Sequence, residues 1–469
     1  MRAPFTTVAV ILLVVGLAAA TPRARGAVPQ SPPLAGAWEG AIHVMGVTLD
    51  MRVVFTGTDA SLGATIDIPQ QGAAGLRLQR VTREADRVHF ELPTPNATAV
   101  FDGGLEGGRI TGTFTQGSAS GTFTLAPARA QPPPPYPTHE VTFSNGDVTL
   151  GGTLTVPEGP GPFPAVVMLT GSGAQDRDED ILGFKVFRVI ADHLTRHGVA
   201  VLRYDDRGVG QSGGSVPAST TEDFAGDALA AVALLRARPE VAADHVGLFG
   251  HSEGASVATI AAARSTDVAF VVMLAGPGQR GDLTLRQQAA DGARALGADE
   301  AAVAKVVAAH AAALDAVRAD APRDELVAKI TALIDAQIDT LPAAQRTAIG
   351  DRDAYVRSLL PRSLASMSNR WMHFFLDFDP TVPLGRVTCP VLAIFGSLDA
   401  QVPPAQNREP IERALSGNPR ASIKVYEGAN HLFQRARTGL PSEYGALDKA
   451  FVGGLLDDVT AWIRGVTGG

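Results

Sequence analysis

The sequence predicts an α/β fold with a mostly parallel sheet and a helical cap insertion, preceded by a small all-β barrel or sandwich module. The first observation is that residues 34–125 form short runs that alternate between apolar and polar side chains, with turn residues about every 8–12 positions. The second is that apolar runs alternate with helical stretches from Thr138 onward. This alternation is typical of parallel sheets whose strands are joined by helices.

Composition is that of an ordinary globular protein. The 469 residues suffice for about two or three domains, and 45% hydrophobic residues supply ample core material. The formal net charge of −8 gives no basic surface of the kind that binds nucleic acid. Cys389 is the only cysteine, so stability must come from packing and not from an internal disulfide.

The first 27 residues predict a signal peptide. Arg2 supplies a positive charge, residues 8–20 form an apolar core, and Ala18–Ala20 resemble a small-residue cleavage site. The apolar run is short for a membrane span, which takes about 20 residues. We expect a secreted or periplasmic protein, with an uncleaved membrane anchor as the alternative.

Residues 34–125 predict an N-terminal all-β accessory module. Within it, residues 109–115 and 121–125 indicate a hairpin. The module has no apparent nucleophile or metal cluster, so its expected partner is an unidentified ligand or surface. Residues 126–137 include Pro132–Pro135 and predict a stiff, extended linker.

Residues 138–469 predict the larger, α/β domain. The candidate strands are Ala165–Leu169, Val199–Arg203, Val246–Phe249, Phe270–Leu274, Val391–Phe395 and Ser422–Tyr426. The candidate helices are Lys185–Arg196, Glu222–Arg236, Pro404–Leu415 and Lys449–Arg464. Residues from about 276 to 386 are alanine-rich with helical periodicity, and we interpret them as a cap over the carboxyl edge of the sheet, where open α/β sheets bind ligands. A purely structural subdomain is the alternative.

The stretch Gly250–Gly254, which reads G-x-S-x-G, predicts the nucleophile. It joins an apolar strand to a helix, so Ser252 stands on a sharp turn that the flanking glycines permit. The N–H of Glu253, at the start of the helix, would then donate to an oxyanion. The second donor is expected from the loop Thr170–Gly173, with the Ser172 N–H as the first choice and Gly171 or Gly173 as alternatives.

Asp399 and His431, both later in the chain, complete a candidate catalytic triad with Ser252. A serine hydroxyl needs an adjacent base that a third group orients. His431 follows the last predicted strand, and Asp399 follows the strand before it, which gives the order Ser, Asp, His. Asp377 and Asp379 are the competing acids, and a helix cap is the alternative role for Asp399.

Other motifs predict no cofactor and no metal. Residues 208–213 match G-x-G-x-x-G, but no helix opens at the third glycine. Residues 176–180 imitate the start of a calcium loop, yet Ile181 replaces the required glycine, so we interpret them as a solvated acidic loop. Zinc-ligand spacing is not apparent.

The larger domain resembles the α/β-hydrolase superfamily. Residues 169–178, residues 203–212 and the Ser252 turn carry the resemblance, together with Asp399 and His431. These segments are similar to those of bacterial exported serine esterases related to serine aminopeptidases and prolyl-oligopeptidase-like hydrolases.

Two further stretches bear on the resemblance. Residues 371–380 are also similar to those esterases, whereas Thr170-Gly171 stands where His-Gly is usual in the oxyanion loop. Trp371, Phe374 and Phe375 are candidates to line an apolar acyl pocket, with packing inside the cap as the alternative.

We therefore expect a serine hydrolase that cleaves carboxylic esters of small molecules through an acyl-enzyme, without metal or cofactor. The first alternative is an aminopeptidase or other peptidase with the same triad, in which Glu253 or Asp176 receives a substrate ammonium group. The second is a non-catalytic binding protein on a hydrolase fold.

Overall fold

The structure is a computed structural model that describes residues 34–44, 47–58, 61–68, 71, 73–94, 97–128 and 133–468. The predicted signal peptide lies outside these residues, as does part of the predicted linker. One compact unit ends at Pro133 and includes Ile181–Gly183, and the other comprises Pro134–Asp180 and the chain from Phe184. In the described ranges, the helices are too short or too polar to cross a membrane.

Antiparallel strands form the N-terminal unit. They are β1 (Gly36–Val44), β2 (Val47–Thr58), β3 (Ser61–Ile68), β4 (Ala73–Arg77), β5 (Gln79–Glu84), β6 (Arg87–Leu92), β7 (Ala99–Glu106), β8 (Arg109–Gln116) and β9 (Ala119–Pro127). Their order in the sheet is β4-β3-β2-β1-β9-β8-β7-β6-β5. The predicted hairpin is confirmed, since β8 pairs with β9 in antiparallel register.

The order of these strands favours the barrel over the sandwich. β4 and β5 lie at opposite edges of the sheet, yet only Leu78 separates them in the chain. The sheet must therefore curl until its edges approach each other. Its interior is filled by aromatic side chains, with the rings of Phe90 and Phe101 stacked 4.7 Å apart and Phe123 packed against both.

The second unit contains a mixed, mostly parallel sheet with helices. Its strands are β10 (Thr138–Asn145), β11 (Val148–Thr155), β12 (Phe163–Leu169), β14 (Phe184–Lys185), β15 (Ala200–Tyr204), β16 (Val241–His251), β17 (Val271–Leu274), β18 (Val391–Gly396) and β19 (Ala421–Tyr426). The two-residue strand β13 (Asp180–Ile181) crosses the unit boundary at Asp180. The main sheet has the order β10-β11-β15-β12-β16-β17-β18-β19, and all pairs from β15 to β19 are parallel.

Helices cover this sheet. They are α1 (Val186–Arg196), α2 (Thr221–Arg236), α3 (Glu253–Arg264), α4 (Gly281–Ala295), α5 (Glu300–Arg318), α6 (Arg323–Thr340), α7 (Ala343–Ile349), α8 (Arg352–Met367), α9 (Arg370–Asp377), α10 (Thr381–Leu384), α11 (Pro404–Ala414) and α12 (Leu455–Thr467). Helices α4 to α10 fill the interval between β17 and β18, where the cap insertion is predicted. Those from α4 to α9 share an apolar core that includes Leu314, Ile330 and Leu376.

The six predicted strands of the larger domain are confirmed, and two predictions need correction. The antiparallel hairpin β10–β11 extends the sheet at one edge, where no strand is predicted. The helix predicted over Lys449–Arg464 begins only at Leu455, because Gly454 is left-handed with φ +84° and breaks the preceding segment.

Candidate active site

Ser252 occupies a strained turn between β16 and α3. Its φ and ψ are +52° and −119°, a conformation that residues other than glycine rarely adopt. The backbone N–H of Ser252 donates to the carbonyl of Leu274, at the end of the neighbouring strand β17, over 2.9 Å. Such strain persists only where the surrounding structure imposes it, and it is typical of functional sites.

The two glycines that flank the turn have no room for a side chain. A Cβ atom on Gly250 would lie 2.1 Å from the carbonyl oxygen of Gly254. A Cβ atom on Gly254 would lie 2.0 Å from the carbonyl oxygen of Leu169, at the end of β12. The G-x-S-x-G pattern therefore reflects how closely α3 approaches the sheet.

The loop that follows β12 lies against the turn. Leu169 is in register with Gly250, and a Cβ atom on Gly171 would come within 3.3 Å of the Ser252 Cβ. The Gly171 N–H already donates to Glu179 Oε1 over 2.8 Å, which leaves it unsuited to bind an oxyanion. Across the described residues, neither the Ser172 N–H nor the Gly173 N–H has a hydrogen-bond partner, so both remain candidates for the second donor.

Asp399 and His431 form a buried pair at the carboxyl ends of β18 and β19. His431 Nδ1–H donates to Asp399 Oδ2 over 2.8 Å, and both residues are less than 5% exposed. Asp399 Oδ1 accepts the N–H groups of Gln401 and Val402, each over 2.8 Å. Burial raises the pKa of Asp399, but the His431 charge and these hydrogen bonds outweigh it and hold the pKa below the ordinary value.

The other candidate acids have different partners. Asp377 pairs with Arg318 over 2.8 Å, and Asp379 accepts the backbone N–H of Thr381 over 2.9 Å. The helix α11 has Pro403, and not Asp399, at its N-cap position. The structure therefore brings Asp399 alone among the three acids to His431.

The loop that carries His431 is held by a buried amide. Asn430 is 0% exposed, and its Oδ1 accepts the N–H groups of Leu432 and Gln434 over 3.0 and 2.9 Å. Gly396, at the end of β18, permits this loop to approach, because a Cβ atom there would lie 2.5 Å from the Ala429 carbonyl oxygen.

His431 and Ser252 lie in the same region without a direct bond. The His431 ring stands 4.8 Å from the ring of His251, the residue before Ser252. In the part of the chain that the structure describes, no hydrogen bond joins the Ser252 hydroxyl to His431. Catalytic hydrogen bonds are often long without substrate and shorten when it binds.

Glu253 connects the turn to the cap. Its carboxyl group is buried, and Oε1 accepts the hydroxyl of Thr221 over 2.7 Å and the indole N–H of Trp371 over 2.8 Å. Burial raises the pKa of Glu253 above its ordinary value, and these hydrogen bonds only partly oppose the shift. This environment contradicts the expectation that Glu253 stands on an acidic rim and receives a substrate ammonium group.

The predicted pocket residues differ in their surroundings. Trp371 is half-buried and stacks on Phe375, with the ring centroids 4.8 Å apart. Phe375 is only 9% exposed, whereas Phe374 is half-buried and stacks on Phe378. Of the three, Trp371 is the one whose side chain bonds to the residue beside Ser252.

The interpretation of residues 176–180 as a solvated acidic loop is wrong for Asp178 and Glu179. The Asp178 side chain is only 15% exposed and is held in salt bridges. Asp176 is exposed, but Glu179 is fully buried, with φ +50°, and it contacts both Gly171 and His251. Glu179 and His251 are absent from the predicted site. A charged side chain in a short acidic run gives no local signal that it turns inward.

Asp206 holds the loop that follows β12 through two hydrogen bonds. Its Oδ1 accepts the Thr170 hydroxyl over 2.6 Å and its Oδ2 accepts the Gln175 N–H over 2.8 Å, on either side of the loop. Burial raises the pKa of Asp206 from 3.8 to about 8, against the effect of these two hydrogen bonds.

We expect the free energy of unfolding to depend on pH because of the Asp206 carboxyl group. The unfolded chain releases the proton near pH 3.8 and the folded protein near pH 8, so between these values the folded state holds more protons. The contribution of Asp206 to stability is thus full at low pH and is lost as the pH rises to about 8. The free energies of unfolding of the wild type and Asp206→Asn, measured in urea across this pH range, should depend differently on pH. The wild type should lose more stability as the pH rises. Parallel curves would contradict the assignment.

Comparisons with known proteins find similar sequences and structures. The serine aminopeptidase S33 family matches residues 184–435. The chain is 29% identical over 384 residues to esterase EstD of Thermotoga maritima, covering 80% of this chain and 81% of that protein. Similar solved structures include the Pyrococcus furiosus esterase Pf2001 (18% identity, TM-score 0.41, 62% of this chain and 83% of that chain) and the α/β hydrolase GrgF from a Penicillium species (19% identity, TM-score 0.44, 71% and 100%).

The strand order, the helices that cover the sheet and the strand–serine–helix turn define an α/β hydrolase. Because the matched region spans more than half of the chain, the protein belongs to the serine aminopeptidase S33 family.

Proposed function

We propose that this protein is a serine esterase that hydrolyses carboxylic esters through an acyl-enzyme. Ser252 is the nucleophile, His431 the general base and Asp399 the residue that orients His431. The observation that carries the proposal is the strained Ser252 turn, packed against the Gly171 loop, in the same sheet edge as the buried Asp399–His431 pair. The relative named an esterase adds support.

The reaction follows from this geometry. Ser252 Oγ attacks the ester carbonyl while His431 Nε2 takes its proton, and the resulting oxyanion accepts the N–H groups of Glu253 and Ser172. His431 then gives the proton to the departing alcohol. Water, activated by the same imidazole, releases the acid from the acyl-enzyme. Each oxyanion donor contributes about 10²- to 10³-fold to the rate.

The Asp399–His431 bond fixes the imidazole tautomer. Because Asp399 Oδ2 accepts the proton on Nδ1, the opposite ring nitrogen carries the lone pair that accepts the serine proton. The three acceptor contacts of Asp399 keep it ionised, so its charge stabilises the imidazolium that forms.

A graded series of p-nitrophenyl esters, from acetyl to palmitoyl, tests the proposal beside aminoacyl p-nitroanilides. Ester turnover, with labelling of Ser252 by a fluorophosphonate, is the expected result, and the preferred acyl length would measure the pocket. A folded protein that neither turns over any ester nor reacts with the phosphonate would refute it and favour a binding protein on this fold.

An aminopeptidase is the second candidate, since the matching family is described by that activity. Anilide turnover that exceeds ester turnover would favour it. We also propose, from the N-terminal sequence alone, that the protein acts after export, as a secreted or periplasmic enzyme.

A further inference from the structure

A buried glutamate–histidine pair lies directly behind the candidate site. Glu179 is 0% exposed and His251 is 2% exposed. The His251 Nδ1 atom lies 2.8 Å from Glu179 Oε1. Neither residue has a part in the proposed reaction, because both nitrogens of the His251 ring are occupied by protein atoms.

This pair joins the two loops on which the reaction depends. Glu179 Oε1 accepts the N–H of Gly171, in the oxyanion loop, over 2.8 Å. At the other end, His251 Nε2–H donates to the carbonyl oxygen of His431 over 3.0 Å. A continuous chain of three hydrogen bonds therefore runs from the oxyanion loop to the backbone of the general base.

The chain of bonds requires a shared proton. The His431 carbonyl can only accept, so Nε2 must carry a proton, and a second proton must lie between Nδ1 and Glu179. Burial lowers the pKa of His251, but the Glu179 charge, its hydrogen bond and the His431 carbonyl outweigh burial and raise it. Asp399 acts in the same direction.

The backbone and hydrogen bonding of Glu179 are locally unfavourable, which indicates a function beyond packing. Glu179 has φ +50°, a conformation unfavourable for a residue with a side chain. Among the described residues, its Oε2 atom is buried without a hydrogen-bond partner. Strain and an unsatisfied buried oxygen together are unfavourable for stability and persist where the surrounding structure imposes them.

We propose that Glu179 and His251 are positioning residues that hold the oxyanion loop and the His431 backbone at a fixed separation during hydrolysis. The inference rests on the proposed function, since it assigns these loops their catalytic parts. The pair acts on the rate of the chemical step and not on substrate affinity, because its contacts reach backbone atoms behind the site.

Two conservative variants and one matched control test the inference. In Glu179→Gln, the amide oxygen can still accept from Gly171 and from Nδ1–H, but Nε2 is left without a proton and faces the His431 carbonyl. In His251→Gln, a single amide nitrogen replaces two opposed donors. The control is Thr155→Val, which removes the buried hydrogen bond between the hydroxyls of Thr155 and Thr195, 2.7 Å apart. This contact lies beside the amino end of β15, away from both loops.

The measurements are kcat and KM for a p-nitrophenyl ester, and amide hydrogen exchange in residues 170–179 and 429–435. We expect each variant to lower kcat by about 10- to 100-fold with a much smaller change in KM, because small misplacements of reacting groups have effects of this size. Exchange should rise in both loops. The double variant should be about as slow as the single ones, since the pair acts as one unit. Thr155→Val should change neither quantity.

Folded variants with wild-type kcat and unchanged exchange would overturn the inference. So would losses in kcat that merely follow a fall in the midpoint of thermal unfolding, as the control would reveal. If the wild type itself turns over no ester and resists the phosphonate, the proposed function fails instead. Hydrogen exchange, which needs no turnover, then decides alone whether the pair couples the two loops.

Discussion

Ser252→Ala should remove essentially all ester turnover, by about 10⁵-fold or more in kcat, as loss of a serine nucleophile does in other hydrolases. Alanine keeps the Cβ atom, so the strained backbone and the close approach of the Gly171 loop are retained. Binding of substrate should therefore persist while covalent chemistry stops. The measurements are the rate constant of a single turnover and the loss of phosphonate labelling.

A serine in the same helix provides the control. Ser256 is buried one turn into α3, with 3% exposure, and Ser256→Ala should keep turnover close to that of the wild type. Should Ser252→Ala still hydrolyse esters at a rate comparable to Ser256→Ala, another nucleophile would have to be sought.

Asp399→Asn should lower kcat by about 10⁴-fold, the effect known when the orienting carboxylate of a triad becomes an amide. The reason lies in its contacts. Asp399 accepts from two backbone N–H groups on one oxygen and from His431 on the other. An asparagine side chain must turn its NH₂ toward one of these donors. Facing His431, it forces the wrong tautomer, and facing the backbone it opposes two N–H groups.

The competing acid provides the comparison for this variant. Asp379→Asn should leave kcat nearly unchanged, because Asp379 accepts the N–H and the hydroxyl of Thr381 and does not contact His431. The pH dependence of kcat in both variants and the wild type would show whether the imidazole is affected. Equal losses in the two variants would be incompatible with the assignment of Asp399.

Patterns along the chain predict those parts of the fold that local physics determines. Strands buried on both faces are apolar runs, so β12, the second half of β16 and β18 can be recognised from sequence. The edge hairpin β10–β11 is harder to recognise, because the partly exposed strand β10 mixes polar and apolar residues. Likewise, the left-handed Gly454 delays the start of α12, although residues from Lys449 onward suggest a helix.

The residues of the candidate site also differ in whether the sequence predicts them. Ser252, Asp399 and His431 can be proposed because each directly follows a predicted strand, and parallel strands end at one edge of the sheet. The burial of Glu179 cannot be inferred, since it depends on contacts with His251, 72 positions along the chain. The bond between Glu253 and Trp371, 118 positions apart, depends equally on how the cap packs.

The hydrogen bond between Glu253 and Trp371 couples any movement of the cap helix α9 to the Ser252 turn. If α9 moves outward, Glu253 Oε1 loses the Trp371 indole but keeps the Thr221 hydroxyl, so the loss of this one hydrogen bond costs about 0.5–1.5 kcal/mol. An incoming molecule that displaces the indole must offset this cost. A ligand that donates a hydrogen bond to Glu253 in place of the indole would offset this cost better than one without a donor.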